Sequence, residues 1–213
     1  MSMIKAWYCN VSELYDPEAF ERGMKMLPWE ERREKVLKYR FMKDRCLCLG
    51  AGLLAAYALR DAGASDMRIA RTEHDKPYLI GCPDIHFNIS HSGRIAVCAV
   101  SDQPVGADVE ELRAYDKGVA ELAFTAQEND WILACEDKDT AFTRLWTRKE
   151  SYLKMTGEGI AYSLKDISLI PGEAQPEGCL IREYSAEGYL ISICSAYEFA
   201  GLHEAACLPG SEL

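Results

Sequence analysis

The segment His86-Phe-Asn-Ile-Ser-His-Ser-Gly-Arg-Ile-Ala-Val-Cys-Ala-Val-Ser-Asp-Gln-Pro-Val-Gly-Ala-Asp-Val-Glu110 decides the architecture. Phe87 and Ile89 alternate with Asn88 and Ser90, the period of a strand with one apolar face. Ser92-Gly93 turns the chain, and Ile95 to Val100 is apolar throughout, as a strand covered on both faces must be. Pro104 interrupts, and Val105 to Glu110 alternates again, with Val105, Ala107 and Val109 on one face and Gly106, Asp108 and Glu110 on the other. The segment is a hairpin followed by a third strand that carries two acids on one side.

Upstream, Met1 to Asn10 reads as a strand, and Asp16 to Leu27 and Pro28 to Met42 as charged helical segments. Asp44 to Asp61 is an apolar helix ending near Gly63; Gly50 and Gly52 within it weaken a helix and imply close packing. Downstream, Glu121 to Cys135 and Asp139 to Thr156 read as helices, the second stopped by Gly157 and Gly159. Ile167 to Ile170, Cys179 to Tyr184 and Tyr189 to Ala196 read as strands. Gly93-Arg-Ile-Ala-Val-Cys-Ala-Val and Gly188-Tyr-Leu-Ile-Ser-Ile-Cys-Ser share a glycine followed by a strand pattern, each after a long helix. This hints at two similar α/β halves.

The 213 residues suit one large domain or two smaller ones, and a hydrophobic content of 48% supports a normal core. A net charge of −10 argues against a non-specific nucleic-acid binder, which needs basic surface to displace counterions. The nine cysteines show no C-x-x-C pairs; Cys46 and Cys48 give only C-x-C in an apolar run. Met1 to Trp7 lacks the apolar core of a signal peptide, and Cys46 to Leu59 is too short to span a bilayer. A soluble, cytoplasmic protein with reduced thiols and no membrane partner is expected.

Residues two apart on a strand have Cα atoms roughly 6.5 Å apart on one face. Asp108 and Glu110 can therefore reach one cation, with Gly106 leaving space for a ligand; the bland alternative is a pair of solvated acids on an edge strand. Mg²⁺ accepts one or two carboxylates, with waters and phosphate oxygens completing its shell. Phe142, Leu145, Trp146, Lys149 and Leu153 follow helical spacing, so Lys149 sits where a core helix would carry leucine. Glu150 and Lys154 stand at i, i+4, which alone is an ordinary surface pair. His91, between Ser90 and Ser92 at a turn, offers donors to a phosphate; a Ser–His nucleophile lacks its Gly-x-Ser-x-Gly elbow. Arg32, Lys35, Lys43, Arg45 and Lys76 are each unremarkable as solvated charges.

Together these features are more specific. Asp-Lys-Pro-Tyr (75–78), Phe-Asn-Ile-Ser-His-Ser (87–92), Val-Gly-Ala-Asp-Val-Glu (105–110) and Trp-Thr-Arg-Lys-Glu-Ser-Tyr-Leu-Lys-Met-Thr-Gly-Glu-Gly (146–159) occur in that order. A weaker block, Phe124-Thr-Ala-Gln-Glu128, lies between the last two. The chain thereby resembles the 4′-phosphopantetheinyl transferases of the longer, surfactin-synthetase-activating type. The resemblance implies an α+β fold in which two similar α/β halves pack as a pseudo-dimer. Residues 1–104 would form the half with the coenzyme A-binding hairpin, and 105–213 the half with the metal-binding and catalytic helix.

The implied activity moves the 4′-phosphopantetheine arm of coenzyme A to a serine of an acyl or peptidyl carrier protein, releasing adenosine 3′,5′-bisphosphate. By the same resemblance, Asp108, Glu110 and Glu150 would hold Mg²⁺, or Mn²⁺ in its place. Glu150, or a metal-bound water near it, would accept the serine proton; Lys154 would meet the phosphates, and Glu128 would be a further acid of the site. Arg32, Lys35, Lys76, Pro77, Ser90, His91 and Ser92 would bind coenzyme A. Leu47 stands where many relatives carry an arginine, so either Arg45 substitutes from one turn away or that contact is absent. A monomer is expected, because one chain carries both halves. Two other classes are set against this one: a metal-dependent phosphodiesterase or nucleotide hydrolase, and an inactive acidic interaction module.

Overall fold

The computed structural model describes residues 4–157, 164–197 and 201–207; Gly159, expected to help stop a helix, lies outside them. The first half opens with β1 (Ile4–Asn10), followed by α1 (Pro17–Met26), α2 (Glu30–Lys38) and α3 (Met42–Asp61). A small antiparallel pair, β2 (Ile69–Arg71) and β3 (Pro77–Leu79), leads into the hairpin of β4 (His86–Ser92) and β5 (Ile95–Ser101). The second half runs β6 (Val105–Glu111), α4 (Lys117–Ala123), α5 (Ala126–Ala134), α6 (Lys138–Thr156), β7 (Leu180–Ala186) and β8 (Tyr189–Ser195). A last strand, β9 (Leu202–Glu204), returns to lie parallel to β1.

The two halves repeat one plan. Each has a strand, a long helix and then a hairpin whose second strand pairs antiparallel with the first strand, giving the orders β4-β5-β1 and β7-β8-β6. The hairpins turn on Gly93-Arg94 and Glu187-Gly188, with positive φ at Gly93 (55°), Glu187 (52°) and Gly188 (86°). The expected α+β pseudo-dimer is therefore the architecture observed.

Strand β5 explains how the halves meet. Ala96, Cys98 and Val100 pack with Leu49, Leu54 and Phe87 in the first core. Ile95, Val97 and Ala99, on its other face, pack against Val105, Ala107, Val109, Ile191 and Ile193 of β6 and β8. Burial of each large aliphatic side chain contributes roughly 1.5–3 kcal/mol, so this seam is a core and not a movable interface. A third cluster, including Phe124, Phe142, Leu145 and Leu169, lies beneath α6. The glycines of α3 are indeed close-packing positions: a β-carbon at Gly50 would stand 2.4 Å from Val11 Cγ1, and one at Gly52 2.6 Å from Arg32 Nε.

Two expected elements differ. The helix expected over Glu121–Cys135 is two helices, because Phe124 turns extended and buries its ring edge-on to Phe142, centroids 5.7 Å apart. Thr125 then starts α5 with a capping box closed by Glu128. The strand expected at Ile167–Ile170 is irregular chain after a 3₁₀ turn at Leu164–Asp166, and its Leu169 N–H donates to Glu128 Oε1 (2.9 Å) in place of a ladder partner. The sequence pattern was silent on β2, β3 and β9, each only three residues long.

Candidate active site at the seam

Strand β6 pairs with β8 along one edge only. Along its other edge, side chains of β4 replace the missing strand. Asn88 Oδ1 accepts from Ala107 N (2.9 Å), Ser90 Oγ from Val109 N (3.4 Å) and Ser92 Oγ from Glu111 N (3.4 Å). Three residues at period two on one strand thus satisfy three backbone donors at period two on the other. The same hydroxyls hold the acids: Ser90 Oγ donates to Asp108 Oδ1 (2.8 Å) and Ser92 Oγ to Glu110 Oε2 (3.0 Å).

Gly106 does not leave space for a ligand. A β-carbon there would stand 1.9 Å from Ser151 O and 2.4 Å from Met155 N, so the backbone of α6 fills that space. This approach delivers Lys154, whose Nζ donates to Asp108 Oδ1 (2.5 Å) and Ser90 Oγ (3.1 Å). The lysine thus reaches across the seam and is no mere helix-surface partner of Glu150.

Asp108 is 3% exposed, and its Oδ2 is buried without a hydrogen-bond partner among the described residues. Desolvation raises its pKa to about 6 and the charge of Glu110 adds to the rise, while Lys154 and Ser90 act in the opposite sense. Glu150 and Lys154 line a cleft of about 230 Å³ with Asn88, Lys76 and Pro77. Lys76 Nζ donates to the carbonyls of Lys154 (2.6 Å) and Met155 (3.0 Å), closing the C-terminal end of α6, and desolvation lowers its pKa.

The opposite face of β4 serves another cavity. Phe87 and Ile89 line a space of about 470 Å³ with Trp29, Arg32, Lys35, Arg71 and Pro77. His91 continues that face and keeps solvent access. Desolvation, and then the charges of Arg32, Lys154 and Lys35, lower its pKa. The block Phe87 to Ser92 is therefore divided by strand parity, with alternate residues turned to the cavity and to the acids.

Two expected site residues lie elsewhere. Arg45 donates to the carbonyls of Tyr39 (2.8 Å) and Leu37 (3.4 Å), closing the end of α2, and lines neither cavity. Glu128 is fully buried and lines neither cavity: its oxygens accept from Thr125 N (2.8 Å), Leu169 N (2.9 Å) and Lys149 Nζ (2.7 Å). Lys149 also donates to the carbonyls of Leu164 and Ile167. The lysine in the apolar stripe is thus half of a buried ion pair behind α6. Asn88 carries no sign of its role in the sequence beyond sharing the period of Ser90 and Ser92.

Among the described residues no three His, Cys, Asp or Glu side chains already converge on one point. Mg²⁺ needs only one or two carboxylates when phosphate and water supply the rest. The orphaned Asp108 Oδ2, beside Glu110 and with Glu150 on the facing helix, fits such a hard cation.

Two α/β halves that meet at a carboxylate–lysine site define a pseudo-dimeric α+β enzyme. Residues 104–198 match the 4′-phosphopantetheinyl transferase superfamily, and residues 15–103 match the family described as 4′-phosphopantetheinyl transferase, N-terminal. The chain is 34% identical over 199 residues to the 4′-phosphopantetheinyl transferase Sfp of Bacillus subtilis (strain 168), covering 84% of this chain and 87% of that protein. It is 32% identical over 219 residues to the 4′-phosphopantetheinyl transferase psf-1 of Bacillus pumilus, covering 94% and 93%. The chain belongs to the 4′-phosphopantetheinyl transferase superfamily. No helix among the described residues is long and apolar enough to cross a membrane.

Proposed function

We propose that this protein transfers the 4′-phosphopantetheine arm of coenzyme A to a serine hydroxyl of an acyl or peptidyl carrier protein, leaving adenosine 3′,5′-bisphosphate. The observation that carries this reading is Asp108, buried at the seam with one oxygen unpartnered among the described residues and its other oxygen held by Ser90 and Lys154. Asp108, Glu110 and Glu150 would hold Mg²⁺ or Mn²⁺, which when bound neutralises charge on the pyrophosphate oxygens.

The remaining chemistry belongs to the chain. Glu150 faces the cleft and takes the proton of the attacking serine. Lys154, whose side chain is 29% exposed, can leave Asp108 for a phosphate and supply positive charge where the leaving group gains negative charge. Ser90 and Ser92 hold the two strand acids in orientation. Arg32, Lys35 and His91 offer their donors to the 3′-phosphate end of the nucleotide, and Pro77, lining both cavities, marks where the substrate passes between them. Glu128, with Lys149, holds the frame behind α6.

Residues 1–104 thus bring the nucleotide cavity and residues 105–213 the acids and α6. One chain is sufficient, so we expect a monomer acting in the cytoplasm. Because this chain is acidic and carrier proteins are commonly so, docking relies on a local basic or apolar patch and not on net charge.

Incubation of apo carrier proteins with coenzyme A and Mg²⁺, read by intact mass, tests the proposal. The expected result is the gain of one phosphopantetheine per carrier, abolished by a chelator. Cleaved coenzyme A beside unmodified carriers would mark a hydrolase. Failure to bind coenzyme A with Mg²⁺ would mark an inactive module.

A further inference from the structure

The catalytic face of β6 continues onto β8, and there it holds thiols. In the β6–β8 register Asp108 lies opposite Ser192 and Gly106 opposite Cys194. Cys194 is fully buried, and its Sγ lies 3.3 Å from Cys179 Sγ and 3.5 Å from Met155 Sδ. Met155 follows Lys154 and is the residue whose backbone N presses on Gly106. Cys179 is 4% exposed and just precedes β7, in a turn closed by its N–H to Pro176 O (3.1 Å). It can therefore shift without breaking the β7–β8 ladder. The Arg148 guanidinium, fixed on Leu169 O (2.6 Å) and Glu183 (2.7 Å), supplies positive charge to this thiol pair.

We propose that Cys179 and Cys194 form a peroxide-sensitive dithiol that closes to an intramolecular disulfide and, through Met155, moves the last turn of α6 away from the acids. The hydrogen bond with Cys194, and then Arg148, hold the Cys179 thiol below its ordinary pKa, whereas Cys194 is raised by the same pairing and by burial. Cys179, the less deeply buried of the two and placed in the turn before β7, is the thiol that meets the peroxide first and attacks as thiolate. Its sulfur bonds to one oxygen of hydrogen peroxide as the O–O bond breaks, and the departing hydroxide takes a proton and leaves as water. Cys194 sulfur, giving up its proton, displaces the hydroxyl of the resulting sulfenic acid as a second water. Two thiols lose two electrons and one peroxide is reduced to two waters. An S–S bond is about 2 Å long, so the sulfurs must close by roughly 1 Å, and Cys179 is the partner able to move. Forming the bond consumes the S–H that Cys194 donates to Met155 Sδ, so that hydrogen bond is lost one residue from Lys154.

The dithiol itself stands apart from the proposed activity, while its effect on α6 is read through that activity. Purified protein is treated with hydrogen peroxide, alkylated and mapped by peptide mass, with Cys179→Ser and Cys194→Ser as controls. The expected product lacks two hydrogens, links the peptides of Cys179 and Cys194, reverts with dithiothreitol and is absent from both variants. Linkage confined to the other close thiol pair, Cys9 and Cys207, or sulfinic acid without linkage, would overturn the assignment. The linked protein should transfer at least about tenfold more slowly than the reduced form and show faster amide exchange over the last turn of α6. Unchanged transfer and exchange in fully linked protein would overturn the coupling. A reduced protein that modifies no carrier would count against the transferase reading alone, because linkage and exchange are measured without substrate.

Discussion

Gly106 and Ser151 touch backbone to backbone: a β-carbon on the glycine would stand 1.9 Å from the serine carbonyl oxygen. No side-chain rotation can relieve such a clash, because both neighbours are main chain. Gly106→Ala should therefore destabilise the protein by about 1–3 kcal/mol or more, seen as a lower urea midpoint. It should also push α6 from β6 and part Lys154 from Asp108, reducing transfer by on the order of 10²-fold for a displacement near 1 Å. A variant with wild-type midpoint and turnover would show that the contact does not set the site.

The buried Asp108 carboxyl costs stability that its replacement should return. Its folded pKa of about 6 lies above that of an unfolded aspartate, so the folded state holds its proton more tightly. Stability is full below the unfolded value near pH 4 and is lost as pH rises through the folded value, on the order of 3 kcal/mol in all. Asp108→Asn has no charge to bury. In the absence of divalent cations it should raise Tm above about pH 7, lose that advantage as pH approaches about 4, and abolish transfer. A Tm below wild type at neutral pH, or surviving turnover, would contradict this assignment.

Glu128 and Lys149 are buried together as an ion pair 2.7 Å apart and line neither cavity, the placement of a frame. Removing one partner of a buried pair leaves the other charge uncompensated, at about 3–5 kcal/mol. Glu128→Gln should therefore lower Tm strongly while leaving kcat/KM close to wild type at temperatures where the variant stays folded. The double change Glu128→Gln with Lys149→Met should recover much of the loss, because it removes both charges. Thermal melts and steady-state kinetics on the same samples separate the roles: a stable Glu128→Gln enzyme with collapsed kcat would make Glu128 catalytic.

How much of this was legible in the sequence depended on the range of the signal. The apolar run of β5 announced a strand covered on both faces, and the halves do pack on its two sides. Period two placed Asp108 and Glu110 together, and helical spacing exposed Lys149 as anomalous. What stayed hidden were partners chosen by tertiary contact. Nothing local says that Lys154 pairs with Asp108 and not Glu150, that Glu128 answers Lys149, or that Gly106 is filled by a helix. Strand parity could have split Ser90 and Ser92 from His91, since alternate residues cannot share a face. The break at Phe124 was legible too, because Thr125 and Glu128 carry the spacing of a helix start.

Lys76 gives a prediction that separates two roles for one side chain. Its ammonium donates to the carbonyls of Lys154 and Met155, which are among the last acceptors of α6 and lack a partner within the helix. It also complements the negative end of the helix dipole. Lys76→Met keeps the apolar stem and removes the donor, so the substrate-free protein should lose about 1–3 kcal/mol, in the range of a charge-assisted bond to a part-buried acceptor. Amide exchange over the last turn of α6 should quicken, and Lys76→Arg should restore part of both. A pure phosphate ligand would behave otherwise: its loss would raise KM for coenzyme A and leave the substrate-free protein as stable as wild type. Urea midpoints without coenzyme A, set beside KM with it, decide between them, and the two carbonyl contacts predict that the midpoint falls.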